Sequence, residues 1–98
     1  MTVSNENALG QNDSSFSEQF QQMYAEAERL RSEGNREAKQ ELHREMVVLA
    51  KKSADKRLIA EARSYVGFDA MEVGDLRLAY SELKKSVVLM YEFDEFKE

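Results

Sequence analysis

Few side chains in this 98-residue chain carry chemistry, and their spacing limits what they can do. There is one histidine, His43, and no cysteine, so no thiolate site, disulfide framework or cysteine nucleophile is available, and no second histidine can help build a zinc site. His43 falls between Glu41 and Glu45, which places it on the polar side of a helical segment in a solvated role. Glu37 and Glu41 are paired acids at helical spacing, the pattern of an exposed helix face. Lys51, Lys52, Lys56 and Arg57 form a basic cluster. It reads either as a set of phosphate contacts or as a solvated connection whose lysines complement a helix C-terminus. The four glycines, at 10, 34, 67 and 74, are scattered rather than gathered into a phosphate-cradling loop. No catalytic residue, metal or cofactor is therefore expected.

Helices must position these groups. A chain of 98 residues with no proline, 42% hydrophobic and 34% charged residues has the composition of one small helical domain with a modest core. The net charge of -5 is uneven: residues 1–34 hold six acids against two bases, and residues 35–55 hold five bases against four acids. No long basic stripe results. Residues Met1 to Gly10 lack the basic start and apolar run of a secretion signal, and no segment approaches the roughly 20 apolar residues that span a bilayer. Together with the lack of cysteine, this predicts a cytoplasmic location.

Residues 1–14 are polar and predict a disordered tail, leaving 15–98 as the single domain. Ser15 followed by Glu18 has the form of a capping box. Phe16, Phe20, Met23, Ala27 and Leu30 then recur at intervals of three and four, one apolar stripe on a helix that Gly34 can close in the left-handed conformation. Asn35 is the expected cap of a second helix with Ala38, Leu42, Met46 and Leu49 on its buried face. Ser53 or Asp55 caps a third, with Ile59, Ala62, Val66, Ala70 and Val73 as its stripe. Gly74 ends it and Asp75 caps a fourth, whose apolar face is Leu76, Ala79, Tyr80, Leu83, Val87 and Met90. Gly67 sits inside the third helix at a cost of roughly 1 kcal/mol relative to alanine, which a closely packed neighbour would explain. The chain thus reads as all-α, four helices at about 16–33, 35–52, 55–73 and 75–93, joined by tight turns as two antiparallel hairpins.

Val66-Gly67, Gly74-Asp75 and the residues Ala79, Leu83 and Ser86 resemble the tetratricopeptide repeat, in which two antiparallel helices carry a Leu-Gly pair and small and large packing residues at such positions. Arg63, Ala70 and Tyr91 depart from that pattern, in place of a large hydrophobic residue, an aromatic and a closing proline. Residues 23–50 give a fainter copy around Gly34-Asn35, and the two turns lie 40 residues apart rather than the family's 34. A plain four-helix bundle fits the same periodicities.

The resemblance implies that the first helix of each hairpin lines a concave surface. Opposite the packed stripes stand Gln21, Tyr24, Glu28 and Arg31 on one helix and Glu61, Ser64, Phe68 and Met71 on the other. Phe68 and Met71 are bulky apolar groups on that face. Either helix three is buried on both sides, with Tyr65 and Phe68 as core, or a hydrophobic groove is left open. The expected role is a non-enzymatic adaptor, chaperone or regulatory subunit that holds a helix or peptide of another protein, or a second copy of itself, through Tyr24, Glu28, Tyr65, Phe68 and Met71. Two hairpins fall short of the three or more units that repeat folds need, which favours association. The run Tyr91 to Phe96, aromatics alternating with acids, reads as a docking tail or as the last turns of helix four with Phe93 and Phe96 folded onto Leu89. A rival reading comes from a second resemblance. Arg36, six intervening residues and His43 match the Arg-x(4 to 6)-His pattern of HEPN ribonucleases, which would imply action on a phosphodiester with the basic cluster as its nucleic-acid contact.

Overall fold

Three tight turns set the architecture. The computed structural model describes residues 12–92, and they form α1 (Asn12–Ser32), α2 (Arg36–Ser53), α3 (Lys56–Glu72) and α4 (Leu76–Tyr91). Each turn pairs a left-handed residue with an Asx cap. Gly34 (φ 78°) precedes Asn35, whose side chain accepts from the Ala38 N–H, and Gly74 (φ 82°) precedes Asp75, which accepts from the Leu78 N–H. In both, the cap's own N–H reaches back to the helix just ended, Asn35 to the Leu30 carbonyl and Asp75 to that of Ala70, the bond that closes a Schellman turn.

The middle turn uses the same device without a glycine. Ala54 adopts φ 60°, and Asp55, rather than Ser53, caps α3 through the Arg57 N–H. Ser53 contributes from outside the cap, its hydroxyl donating to the Ala50 carbonyl and accepting from the Asp55 N–H. A left-handed alanine is strained by Cβ crowding, so Ala54→Gly is expected to stabilise the fold by about 1 kcal/mol, the relief outweighing the extra chain entropy of glycine. In a thermal melt that is a rise of about 4–8 °C for a domain of this size. A fall in melting temperature would show that the strain at Ala54 is taken up elsewhere.

Helix α1 begins before the expected Ser15 cap. The helix runs back to Asn12, and Ser15 spends its hydroxyl oxygen on the Gln19 side-chain amide. Residues 1–11 and the Phe93 to Phe96 run lie outside the described residues.

Among the described residues the helices pack in chain order, α1 on α2, α2 on α3 and α3 on α4, with no comparable packing of α1 on α4. A closed four-helix bundle requires that last pairing, so the arrangement is an open stack of two hairpins. Phe20, Met46, Ala50 and Ala62 form the core between the first hairpin and α3, with Met23, Leu49, Leu58 and Ile59 packed around them. The α1 stripe reads as expected, Phe20 and Ala27 being fully buried.

The α3–α4 seam is made of small residues. A Cβ built on Gly67 would meet Leu83 Cγ at 2.7 Å, so the glycine is what lets Leu83 seat there. Ser86, also buried, donates its hydroxyl to the Ala60 carbonyl at 2.7 Å. Arg63, which stands where the tetratricopeptide pattern has a large hydrophobic residue, instead pairs with Glu82 at 2.8 Å across the hairpin.

Two of the expected buried faces are corrected. On α2 the buried residues are Lys39, His43, Met46 and Ala50, one position round from Ala38, Leu42 and Leu49, which are only half covered. On α4 only Ala79 and Ser86 are fully buried, and Leu76, Tyr80 and Val87 are exposed. Val73, expected in the α3 stripe, is the exposed C-cap. In each case a seam of small or paired polar residues displaced the more hydrophobic alternative.

Candidate functional site

The rotation of α2 carries two polar side chains inside. Lys39 and His43 are one helical turn apart, so they share the face that meets α3, where Asp69 and Glu72 stand three residues apart. Lys39 Nζ lies 3.0 Å from Asp69 Oδ1 and 2.9 Å from Glu72 Oε1, and His43 Nδ1 lies 2.7 Å from Asp69 Oδ2. Lysines are rarely buried unless paired. Lys39 is only 4% exposed and His43 only 6%. This corrects the solvated placement of His43: its segment turns inward because Asp69, from a different helix, supplies the acceptor that burial demands.

Electrostatics follow from these contacts. Burial alone would push the Asp69 carboxyl up, but hydrogen bonds from His43 and Lys39, with their charges, hold it below the ordinary aspartate value. Burial would lower Lys39, and its bonds to Glu72 and Asp69 reverse that and raise it. The Asp69 oxygen facing Nδ1 needs a proton between the two, so Nδ1 carries it and Asp69 fixes the orientation of the ring.

Above this cluster lies the expected docking face. The Tyr65 ring sits 5.0 Å from the His43 ring and 5.4 Å from that of Tyr24, both tilted by about 30°, so α1, α2 and α3 meet through three rings. Tyr65 donates its hydroxyl to Glu61 one turn back, and burial followed by that carboxylate pushes its phenol upward. Glu28, held below the ordinary glutamate value chiefly by its bond from Arg31, adds its charge beside Tyr65. Of the five residues singled out in the sequence, Tyr24, Glu28 and Tyr65 are thus brought together. Phe68 and Met71 continue the Tyr65 ridge at intervals of three and stand out from α3, 56% and 50% exposed, so α3 is not buried on both sides.

Other candidates lie elsewhere. Arg36 is exposed and approaches Glu72 at 4.0 Å, whereas His43 is sealed under Tyr65 and bonded to Asp69, so the two do not converge on open surface. Lys51 and Lys52 occupy the last turn of α2, where cations suit the helix dipole, and Lys56 pairs with Glu92 at 2.8 Å. Among the described residues no group of three or more acids and histidines is placed to hold a metal ion, and no helix is long and apolar enough to cross a membrane.

Sequence reasoning missed the Lys39–His43–Asp69 cluster. The signal was a lysine and a histidine four apart on α2, with an acid at Asp69 amid the apolar stripe of α3. It also missed the outer side of α4, where Tyr80, Leu83, Lys84, Val87 and Val88 line a shallow depression of about 350 Å³. Comparison of the chain with protein-family models, with curated proteins and with solved structures finds no match.

Proposed function

We propose that this chain is a non-enzymatic protein-interaction module, an adaptor, chaperone or regulatory subunit, which holds a helix or extended segment of a partner protein on the face formed by α1 and α3. The observation that carries this reading is the exposure of Phe68 and Met71 on a helix that is packed by α2 on one side and α4 on another. Large apolar groups left in water beside a supported aromatic pair are what a partner's apolar anchors cover. Tyr24 and Tyr65 supply rigid rings at the back of the face, and the buried cluster beneath holds Tyr65 in place. Glu28 and Glu61 provide its polar rim.

A photo-crosslinking residue in place of Ser64, one turn before Phe68 on the same face, with one at exposed Glu41 as control, tests this in extracts of the native host. Capture should occur at 64 only. Phe68→Asp and Met71→Asp should each weaken it by about 30-fold, the loss typical of an interface anchor, with helical content unchanged. Capture that survives both substitutions removes the face from consideration.

A further inference from the structure

We infer, resting on the reading of the α1–α3 face as the docking face, that it selects a partner segment carrying an arginine, whose guanidinium seats on the Tyr24 and Tyr65 rings and bonds Glu61. Glu61 is the odd carboxylate of the fold. Among the described residues four acids are drawn at least half under their neighbours, and three of them have a cation: Glu28 has Arg31, Asp69 has Lys39 and His43, and Glu82 has Arg63. The fourth, Glu61, has no cation and is held by the Tyr65 hydroxyl at Oε2, which leaves Oε1 for another donor. Covered carboxylates are rarely left without a cation, because the desolvation they suffer needs a compensating charge.

The missing cation has a seat. The Tyr24 and Tyr65 rings stand 5.4 Å apart and tilted by 33°, so two aromatic faces adjoin the phenol that Glu61 holds, and Tyr24 is 39% exposed. Among the described residues the ammonium placed over a tyrosine ring is that of Lys84 on Tyr80, away on α4, and no cation covers Tyr24 or Tyr65. A guanidinium suits this place better than an ammonium. It is planar and weakly hydrated, so it can stack on a ring while its in-plane N–H groups donate to Oε1.

Spacing along α3 turns the seat into a partner signature. Glu61 and Phe68 are seven residues apart, about 10 Å at the helical rise. A helical partner therefore carries its arginine about two turns from the apolar residue that covers Phe68, and an extended one carries it about three residues away. An acid at that place would meet Glu61 and be rejected. Charge thus gives the face its selectivity, and the apolar anchors give it affinity.

NMR titration of the full chain with N-acetylarginine amide, against N-acetylcitrulline amide as the neutral isostere, tests the seat without the partner. The arginine amide should move the ring resonances of Tyr24 and Tyr65 with a dissociation constant in the millimolar range, and the citrulline amide should leave them in place. Glu61→Gln keeps an acceptor for Tyr65 and removes only the charge; it and Tyr24→Leu should each weaken the arginine probe about fivefold or more. Equal shifts with the two probes overturn the inference, as does a Glu61→Gln variant that binds the arginine amide as tightly as the wild type. Met71→Asp, ten residues along α3 from Glu61 and expected to weaken partner capture, should leave the probe's affinity unchanged, so the seat and the docking face fail separately.

Discussion

Asp69→Ala is expected to destabilise the fold by about 3–5 kcal/mol, the loss seen when one partner of a buried ion pair is removed. Against a total stability of roughly 5–15 kcal/mol for a domain of this size, such a variant sits near the edge of folding. Asp69 is the acceptor for both Lys39 and His43. Without it the Lys39 ammonium keeps only Glu72, which is itself 42% exposed and cannot supply a dry partner. A urea titration should show the midpoint falling with the slope unchanged. Replacing the three residues together by apolar ones of similar volume, Lys39→Met, His43→Leu and Asp69→Leu, should recover most of the loss, because the desolvation cost vanishes along with the attraction. A loss below about 1 kcal/mol for Asp69→Ala would mean that water reaches the cluster, as it does for surface pairs.

The same cluster fixes a pH dependence. The folded-state value of Asp69 lies below its unfolded one, so its contribution is complete above the ordinary aspartate value and is lost as pH falls through the folded value. Lys39 is raised, so its contribution is complete below the ordinary lysine value and is lost only as pH climbs through the folded one. These two contributions should therefore appear as an acid limb that Asp69→Asn flattens and an alkaline limb that Lys39→Met removes.

Gly67→Ala should lower stability by up to about 2 kcal/mol even though alanine is the better helix former. Propensity offers about 1 kcal/mol in its favour. The new Cβ, however, would stand 2.7 Å from Leu83 Cγ and 3.4 Å from the Leu83 backbone nitrogen, and overpacking of this kind costs about 1–3 kcal/mol. Branching at Cγ leaves Leu83 little freedom to swing away, so α4 must shift. In a Leu83→Ala background the clash is gone and the sign should reverse, with Gly67→Ala becoming stabilising. A double-mutant cycle on thermal or urea melts reads this directly. Additive effects would place the close approach somewhere other than at Leu83.

How far the chain could be read depended on whether local signals or partners from another helix decided a residue's place. The turns were legible: Gly34-Asn35 and Gly74-Asp75 state their conformation in their residue types, and the structure has both. Ala54 was not, because nothing in an alanine announces a left-handed backbone. The α1 stripe was legible because its apolar residues are large and evenly spaced. On α2, hydrophobicity favoured Ala38, Leu42 and Leu49, but the buried face is set by Asp69 reaching across from α3, a contact 26 residues away in the chain. On α4, Tyr80 and Val87 look like core by type, yet the seam takes Ala79 and Ser86 because α3 presents Ala60 and Gly67 and can be approached closely. Among the site residues, helical phase alone put Tyr24 and Glu28 on one face of α1 and Phe68 and Met71 on one face of α3, but the ring contact of Tyr65 with Tyr24 comes from the packing of separate helices. The His43 ring beneath them was not legible, since its polarity argued for water.

The strictly sequential packing of the helices has a kinetic consequence. Each of the three main helix pairs is joined by a turn of two or three residues, so little chain entropy is spent closing loops, and topology of this kind belongs to the fast end of folding rates. Either hairpin can form first without waiting for the other. The step that commits the molecule is then the meeting of α2 with α3, where an ammonium and a carboxylate must shed water in concert before their attraction repays it. Folding would be limited by desolvation at one seam rather than by a search through distant contacts.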